Sequence, residues 1–174
     1  MKSMKKNVGG RKKKEPNKII LRENYAEMVL YNKDDEEVAR ALIDLDDIEK
    51  VKEYRWCLTD GYVVHSRRKK QISMHRLIMD FPRNKVVDHI HHNRLDNRKS
   101  QLRVCTQKEN SRNSKAKGYA LDGGGKKWEV YISINGKSEI IGRFKTEKEA
   151  LKVRKEAEIK HYGEFSYYKG LDNK

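Results

Sequence analysis

Val86-Val87-Asp88-His89-Ile90-His91-His92-Asn93-Arg94-Leu95-Asp96-Asn97-Arg98-Lys99-Ser100-Gln101-Leu102-Arg103-Val104-Cys105-Thr106-Gln107-Lys108-Glu109-Asn110 is the run that decides the fold. Val86–Ile90 reads as a short β-branched strand. A polar loop follows, and Leu102–Cys105 supplies a second strand. Thr106 stands where an N-cap would start a helix through Asn110 toward Asn113. The pattern predicts a β-hairpin with a helix laid across it.

That arrangement places the right groups for cutting a phosphodiester. The reaction needs a water made nucleophilic, a cation against the charge on phosphate, and a site open to the backbone. Asp88 offers a carboxylate ligand and Asn110 an amide carbonyl ligand. His89 is adjacent to Asp88, so on a regular strand it points to the opposite face. A general base there faces the phosphate, and an ordinary imidazole pKa of about 6.5 suits proton acceptance at neutral pH. His91 is the next candidate. One carboxylate and one amide, with no thiolate, favour Mg²⁺ over Zn²⁺, with Mn²⁺ able to substitute. His89, His91 and His92 raise a zinc alternative. His92 falls in the turn, however, and no second ligand cluster completes a tetrahedral site.

The rest of the chain agrees with a polyanionic partner. With 174 residues, 36% hydrophobic and 39% charged, it suits small modules along a basic surface better than one large core. The net charge of +15 points to nucleic acid, with a merely solubilising surface as the alternative. The charge is uneven: −6 over residues 15–60, +11 over 61–118 and +3 over 119–174. It peaks where the candidate chemistry lies. No stretch is apolar enough to cross a membrane and the N-terminus lacks a secretory core, so a cytoplasmic location is expected. Cys57 and Cys105 stand alone, forming neither a metal knuckle nor a disulfide framework.

Residues 1–17 read as a disordered basic arm, either tracking phosphates or passive. Residues 18–117 form the β-rich region and hairpin domain. Ile19–Leu21, Met28–Tyr31, Ala41–Asp44, Trp56–Leu58 and Tyr62–His65 are short strands. Asp44–Tyr54 is a helix carrying Leu45, Ile48 and Val51. Arg67, Arg68 and Lys69 sit in a basic turn, either touching phosphate or solvated. Residues 118–165 form a second module. Trp128, Val130, Ile132 and Ile134 alternate into Asn135-Gly136, a type I′ turn signal, and Glu139–Phe144 returns. Thr146 and Glu149 make a capping box before a helix with Ala150, Leu151, Val153, Ala157 and Ile159 on its apolar face, ended by Gly163. Residues 166–174 read as a tail.

The motif resembles the HNH nucleases of the ββα-metal fold, especially phage and intron-encoded homing endonucleases. Ala41-Leu42-Ile43-Asp44-Leu45-Asp46-Asp47, Tyr54-Arg55-Trp56, Gly61-Tyr62, Met74-His75-Arg76-Leu77-Ile78, Val87-Asp88-His89, Leu95-Asp96-Asn97-Arg98, Leu102-Arg103 and Glu109-Asn110-Ser111-Arg112-Asn113 carry the likeness in order. The resemblance implies His89 as base, Asp88 and Asn110 as metal ligands, and Asn93 as a brace for the loop. Gln101 stands where the family's middle asparagine orders that loop, and His92 where a glycine is common. His75 either contacts phosphate or packs a short helix.

Residues 118–165 resemble the three-stranded sheet plus helix of the ethylene-response-factor DNA-binding domain. The likeness rests on Gly118-Tyr119, Lys127-Trp128-Glu129-Val130-Tyr131-Ile132, Ile141-Gly142-Arg143-Phe144, Thr146, Glu149-Ala150 and Tyr162-Gly163. Such domains read the major groove through the sheet. The alternative is a small structural module.

The expected protein is α+β: a β-rich N-terminal part, a ββα-metal HNH core, and a small sheet-and-helix domain. The expected activity is Mg²⁺-dependent hydrolysis of double-stranded DNA by a monomer, one strand at a time, in a bacterial or phage-infected cell. Arg67, Arg68, Lys69, His75, Arg94, Arg98, Arg103, Arg112, Lys127, Tyr131, Arg143 and Lys145 are the expected DNA contacts. The rival is a catalytically idle DNA-binding regulator on the same scaffold, suggested by Gln101 and His92.

Overall fold

The computed structural model describes residues 15–67 and 70–171. It is a mixed α and β structure of four small antiparallel sheets and short helices. The first sheet is a meander of β1 (Ile19–Leu21), β2 (Ala26–Tyr31) and β3 (Glu37–Ile43). The second joins β4 (Cys57–Thr59), β5 (Tyr62–Arg67) and β6 (Lys70–Ser73), and leads into helix α2 (Met74–Ile78). Met28, Leu30, Ile43, Trp56, Met74 and Ile78 fill the core between these elements. Trp56 is fully buried because its indole N–H donates to the Val51 carbonyl at 2.8 Å, satisfying its one polar atom.

The helix expected over Asp44–Tyr54 is shorter. A 3-10 turn (Leu45–Asp47) leads to α1 (Ile48–Val51). The Val51 carbonyl is taken by the Trp56 indole and the Tyr54 N–H, which closes the helix there. Of the arm expected over residues 1–17, residues 1–14 lie outside the described residues. Asn17 is buried: its amide donates to the Val29 and Trp56 carbonyls and its oxygen accepts the Trp56 N–H.

The third sheet is the expected hairpin. Strand β7 (Val86–His89) pairs with β8 (Leu102–Cys105) in the register Val86–Cys105 to His89–Leu102, and helix α3 (Gln107–Arg112) packs against β7. Thr106 and Glu109 form a capping box at the start of α3. The loop between the strands is held from outside. Leu42 N donates to the Leu95 carbonyl and Asn97 N to the Leu42 carbonyl, both at 2.8 Å, so the loop extends the first sheet. Lys99 donates through its backbone to Asp44 and through its ammonium to Asp47. Part of the acidic charge in residues 15–60 thus anchors the basic loop.

The fourth sheet has the order β11 (Lys137–Phe144), β10 (Trp128–Ile134), β9 (Tyr119–Leu121). Asn135 and Gly136 both have positive φ, 51° and 83°, as a type I′ turn requires. Helix α4 (Glu147–Tyr162) carries its capping box and crosses β10. Its buried line differs from the expected apolar face. Ala150, Arg154, Glu158 and Tyr162 point inward at i, i+4 spacing, and Leu151 is 41% exposed. Arg154 is tolerated there because it pairs with Glu158 and donates to the Tyr131 carbonyl. It lies so close to Gly118, at φ +62°, that a Cβ would collide with the guanidinium.

Of the tail expected over residues 166–174, residues 172–174 lie outside the described residues and the rest is packed. Residues 163–171 run back as two 3-10 turns onto the β7–β8 hairpin, with Ser166 and Gly170 buried. A Cβ on Gly170 would strike the Ile90 carbonyl and the His92 ring, so the segment is pressed flat against the hairpin loop.

Candidate active site

Strand β7 ends at the site. Asp88 and His89 are its last two residues, and α3 brings Asn110 to the same cleft, whose volume is about 550 Å³. Tyr62, Arg94 and Lys115 also line it. The three residues expected to carry the chemistry therefore line one cleft together with two basic side chains.

His89 is 5% exposed. Burial pushes its pKa down, against the Asn97 side chain and then the Asp88 charge, both of which favour the imidazolium. A ring kept neutral near pH 7 is ready to accept a proton. His89 Nε2 and Asn97 Oδ1 are both buried without a hydrogen-bond partner, and Asn97 is fully buried. Asn97 stands beside the ring as its natural acceptor.

Asp88 is also buried, and its two oxygens differ. Oδ2 accepts Arg103 Nε at 2.9 Å, Arg103 Nη2 at 2.7 Å and Asn113 Nδ2 at 2.8 Å. Oδ1 accepts no hydrogen bond among the described residues, and neither does the Asn110 side chain. One carboxylate oxygen and one amide left free in a wet cleft suit a hard, hydrated cation. No group of three or more His, Cys, Asp or Glu that could hold a metal ion occurs among the described residues.

The loop-ordering residues are redistributed. Asn93 Oδ1 accepts the Leu95 N–H and tightens the turn, as its position suggests. Gln101 contributes its backbone, whose carbonyl accepts from Ile90 N, and its side chain makes no hydrogen bond among the described residues. Asn97 and Asn113 hold the site instead. Asn113 links Asp88, the His89 carbonyl and the His92 ring. His92 adopts φ +62°, which explains the glycine common at that position, and its ring stacks on Tyr167 at 4.5 Å. The sequence carried both asparagines in Leu95-Asp96-Asn97-Arg98 and Ser111-Arg112-Asn113. Nothing local said which amide would turn inward.

Several expected DNA contacts are engaged within the protein. Arg103 is buried on Asp88 and stacks on Phe165 at 4.4 Å. Arg98 is held by Asp96 at 2.6 Å. His75 is 8% exposed, its ring 5.0 Å from that of His89, and burial pulls its pKa down to about 3, so it packs the site. Arg112 lies over Tyr162. On the C-terminal sheet, Arg143 and Tyr131 both bond to Glu129. Arg94 lines the cleft over Tyr62 at 4.2 Å, while Lys127 and Lys145 are exposed. Arg68 and Lys69 lie outside the described residues, as does the Arg67 side chain.

The hairpin thus ends in Asp-His and shares its cleft with an asparagine from the following helix. The HNH endonuclease family matches residues 80–112, the span of this site. An uncharacterized HNH endonuclease of Acanthamoeba polyphaga mimivirus is 30% identical, over 76% of this chain and 75% of its own length. The chain belongs to the HNH endonuclease family. No solved structure matches it. Among the described residues, no helix is long and apolar enough to cross a membrane.

Proposed function

We propose that this protein is a metal-dependent endonuclease of the homing type that hydrolyses phosphodiester bonds in double-stranded DNA, acting as a monomer on one strand at a time. The observation that carries the reading is the shared cleft: a buried neutral His89 beside two unpaired oxygen donors, Asp88 Oδ1 and Asn110. Asp88 and Asn110 would hold Mg²⁺ or Mn²⁺, which supplies charge stabilisation at the scissile phosphate. His89 accepts the proton of the attacking water, and Asn97 holds the ring for that transfer. Arg94 and Lys115, which line the cleft, would meet the phosphate backbone. The C-terminal sheet, with Lys127 and Lys145 exposed, supports a DNA-contacting role like that of the ethylene-response-factor domain.

Conversion of supercoiled plasmid tests the activity. Open-circle product in Mg²⁺ or Mn²⁺, abolished by EDTA, is expected. Tight DNA binding with no product under either ion would favour the idle regulator.

A further inference from the structure

The Arg103–Asp88 pair has a consequence for how a cation could be bound. Both side chains are about nine-tenths buried, 11% and 10% exposed, so water screens the pair little. Two guanidinium nitrogens converge on a single carboxylate oxygen, Oδ2. The third, Nη1, donates to the Glu164 carbonyl at 2.5 Å, and the guanidinium plane rests on Phe165. The C-terminal segment thus fixes the cation against the carboxylate. The partners at the cleft, Asn110 and Asn113, are neutral. Among the described residues that line the cleft, Asp88 is the one carboxylate, and it is already paired with Arg103.

We propose that Arg103 is a positioning residue that fixes Asp88 and cancels its charge, so that the divalent cation is drawn in by the DNA phosphate and not by the free protein. This rests on the assignment of Asp88 as a metal ligand. Arg103 and Asn113 together hold Oδ2, which leaves Oδ1 as the carboxylate oxygen open to a cation. The negative charge that the site lacks is supplied by a phosphate oxygen when substrate arrives. Cation and DNA then bind synergistically, each tightening the other by the same factor.

Mn²⁺ titration of the full chain, followed by calorimetry with and without a short mixed-sequence duplex, tests this. Wild type should bind Mn²⁺ weakly alone and at least about tenfold more tightly with duplex. Arg103→Gln, which leaves Asp88 its full charge, should bind Mn²⁺ alone roughly tenfold more tightly and gain less from duplex. Arg103→Lys keeps the charge but loses the two-nitrogen grip. It should retain weak Mn²⁺ binding while kcat falls and KM holds. A purely structural arginine would weaken Mn²⁺ binding in both variants, and that result overturns the proposal, as does equal wild-type affinity with and without duplex. If thermal melting shows Arg103→Gln unfolded, Phe165→Ala, which only loosens the guanidinium, should shift Mn²⁺ affinity upward; unchanged affinity then counts against it. Asp88→Asn separates the two levels. Unaltered Mn²⁺ binding in that variant removes the ligand assignment itself, whereas loss of binding there with no change in Arg103→Gln removes only the role of Arg103.

Discussion

The Asp88–His89 hairpin and the C-terminal sheet are built from similar parts, two or three short strands with one capped helix, yet they dispose their polar groups differently. In the C-terminal module, exposed charges answer each other. Glu129 takes both Arg143 and Tyr131, and buried Arg154 is matched by Glu158 on the next turn. In the hairpin, polar groups are held from one side and left open on the other. Asp88 Oδ2 accepts three hydrogen bonds while Oδ1 accepts none among the described residues, and the His89 ring lines the same cleft with its Nε2 buried and unpartnered. Glu158 Oε2 stays buried without a partner among the described residues, outside the Asp88 cleft. A region whose unmet donors and acceptors share one cleft is where chemistry can occur.

The sharpest way to break this comparison is to remove the part of the C-terminal region that serves the hairpin. Deleting residues 164–174 removes Phe165, Tyr167 and Gly170 from behind Arg103, His91 and His92. Cleavage should fall roughly 100-fold, the scale of loss from a misplaced catalytic group, while DNA affinity by gel shift changes little. Equal loss of both would make the segment a folding requirement only.

Asn97→Ala should lower kcat by about tenfold or more, because the His89 ring loses its buried neighbour, whereas Gln101→Ala should stay within about twofold. The reverse order in single-turnover rates would return the loop-ordering role to Gln101.

His75 tests the hairpin's packing without touching a ligand. Its folded pKa of about 3 lies below the ordinary 6.5. The stability tied to its neutral form is therefore fully present above pH 6.5 and is lost as pH falls through 6.5 toward 3, by up to about 1.4 kcal/mol per pH unit. His75→Phe keeps a ring against Tyr62 and His89 and should flatten the drop in melting temperature between pH 7 and pH 5. An unchanged slope would mean that His75 takes a proton in the folded protein.

The smallest expected effects lie on the C-terminal sheet. Lys127→Ala and Lys145→Ala should each reduce the slope of log affinity against log salt by about one. Arg143→Ala should change it less, since Glu129 already compensates that charge. A larger effect from Arg143 would show that the Glu129 pair opens on DNA.

Much of this was legible in the sequence. Asp88, His89 and Asn110 were readable because the strand–loop–strand–helix pattern fixes them relative to one another locally, and the Asn135-Gly136 turn and both capping boxes are local signals too. What was not legible depends on distant partners. Arg103 looked like a DNA contact because nothing in Leu102-Arg103-Val104 announces that Phe165 and Glu164 lie 61 or more residues away behind it. The bridge from Leu42 to the Asn97 loop and the burial of Arg154 in α4 are of the same kind. A periodicity rule reads Leu151 as core, but a buried ion pair turns the helix otherwise.

His89 is the proposed base of this cleft. The most direct test of that role is a strand-resolved cleavage assay on supercoiled plasmid in Mg²⁺ at low enzyme concentration, comparing wild type with His89→Ala. The account predicts single-strand nicks from wild type and a loss of about 100- to 10,000-fold in His89→Ala, the range a positioned general base contributes, with DNA affinity nearly unchanged. Undiminished nicking by His89→Ala would contradict it.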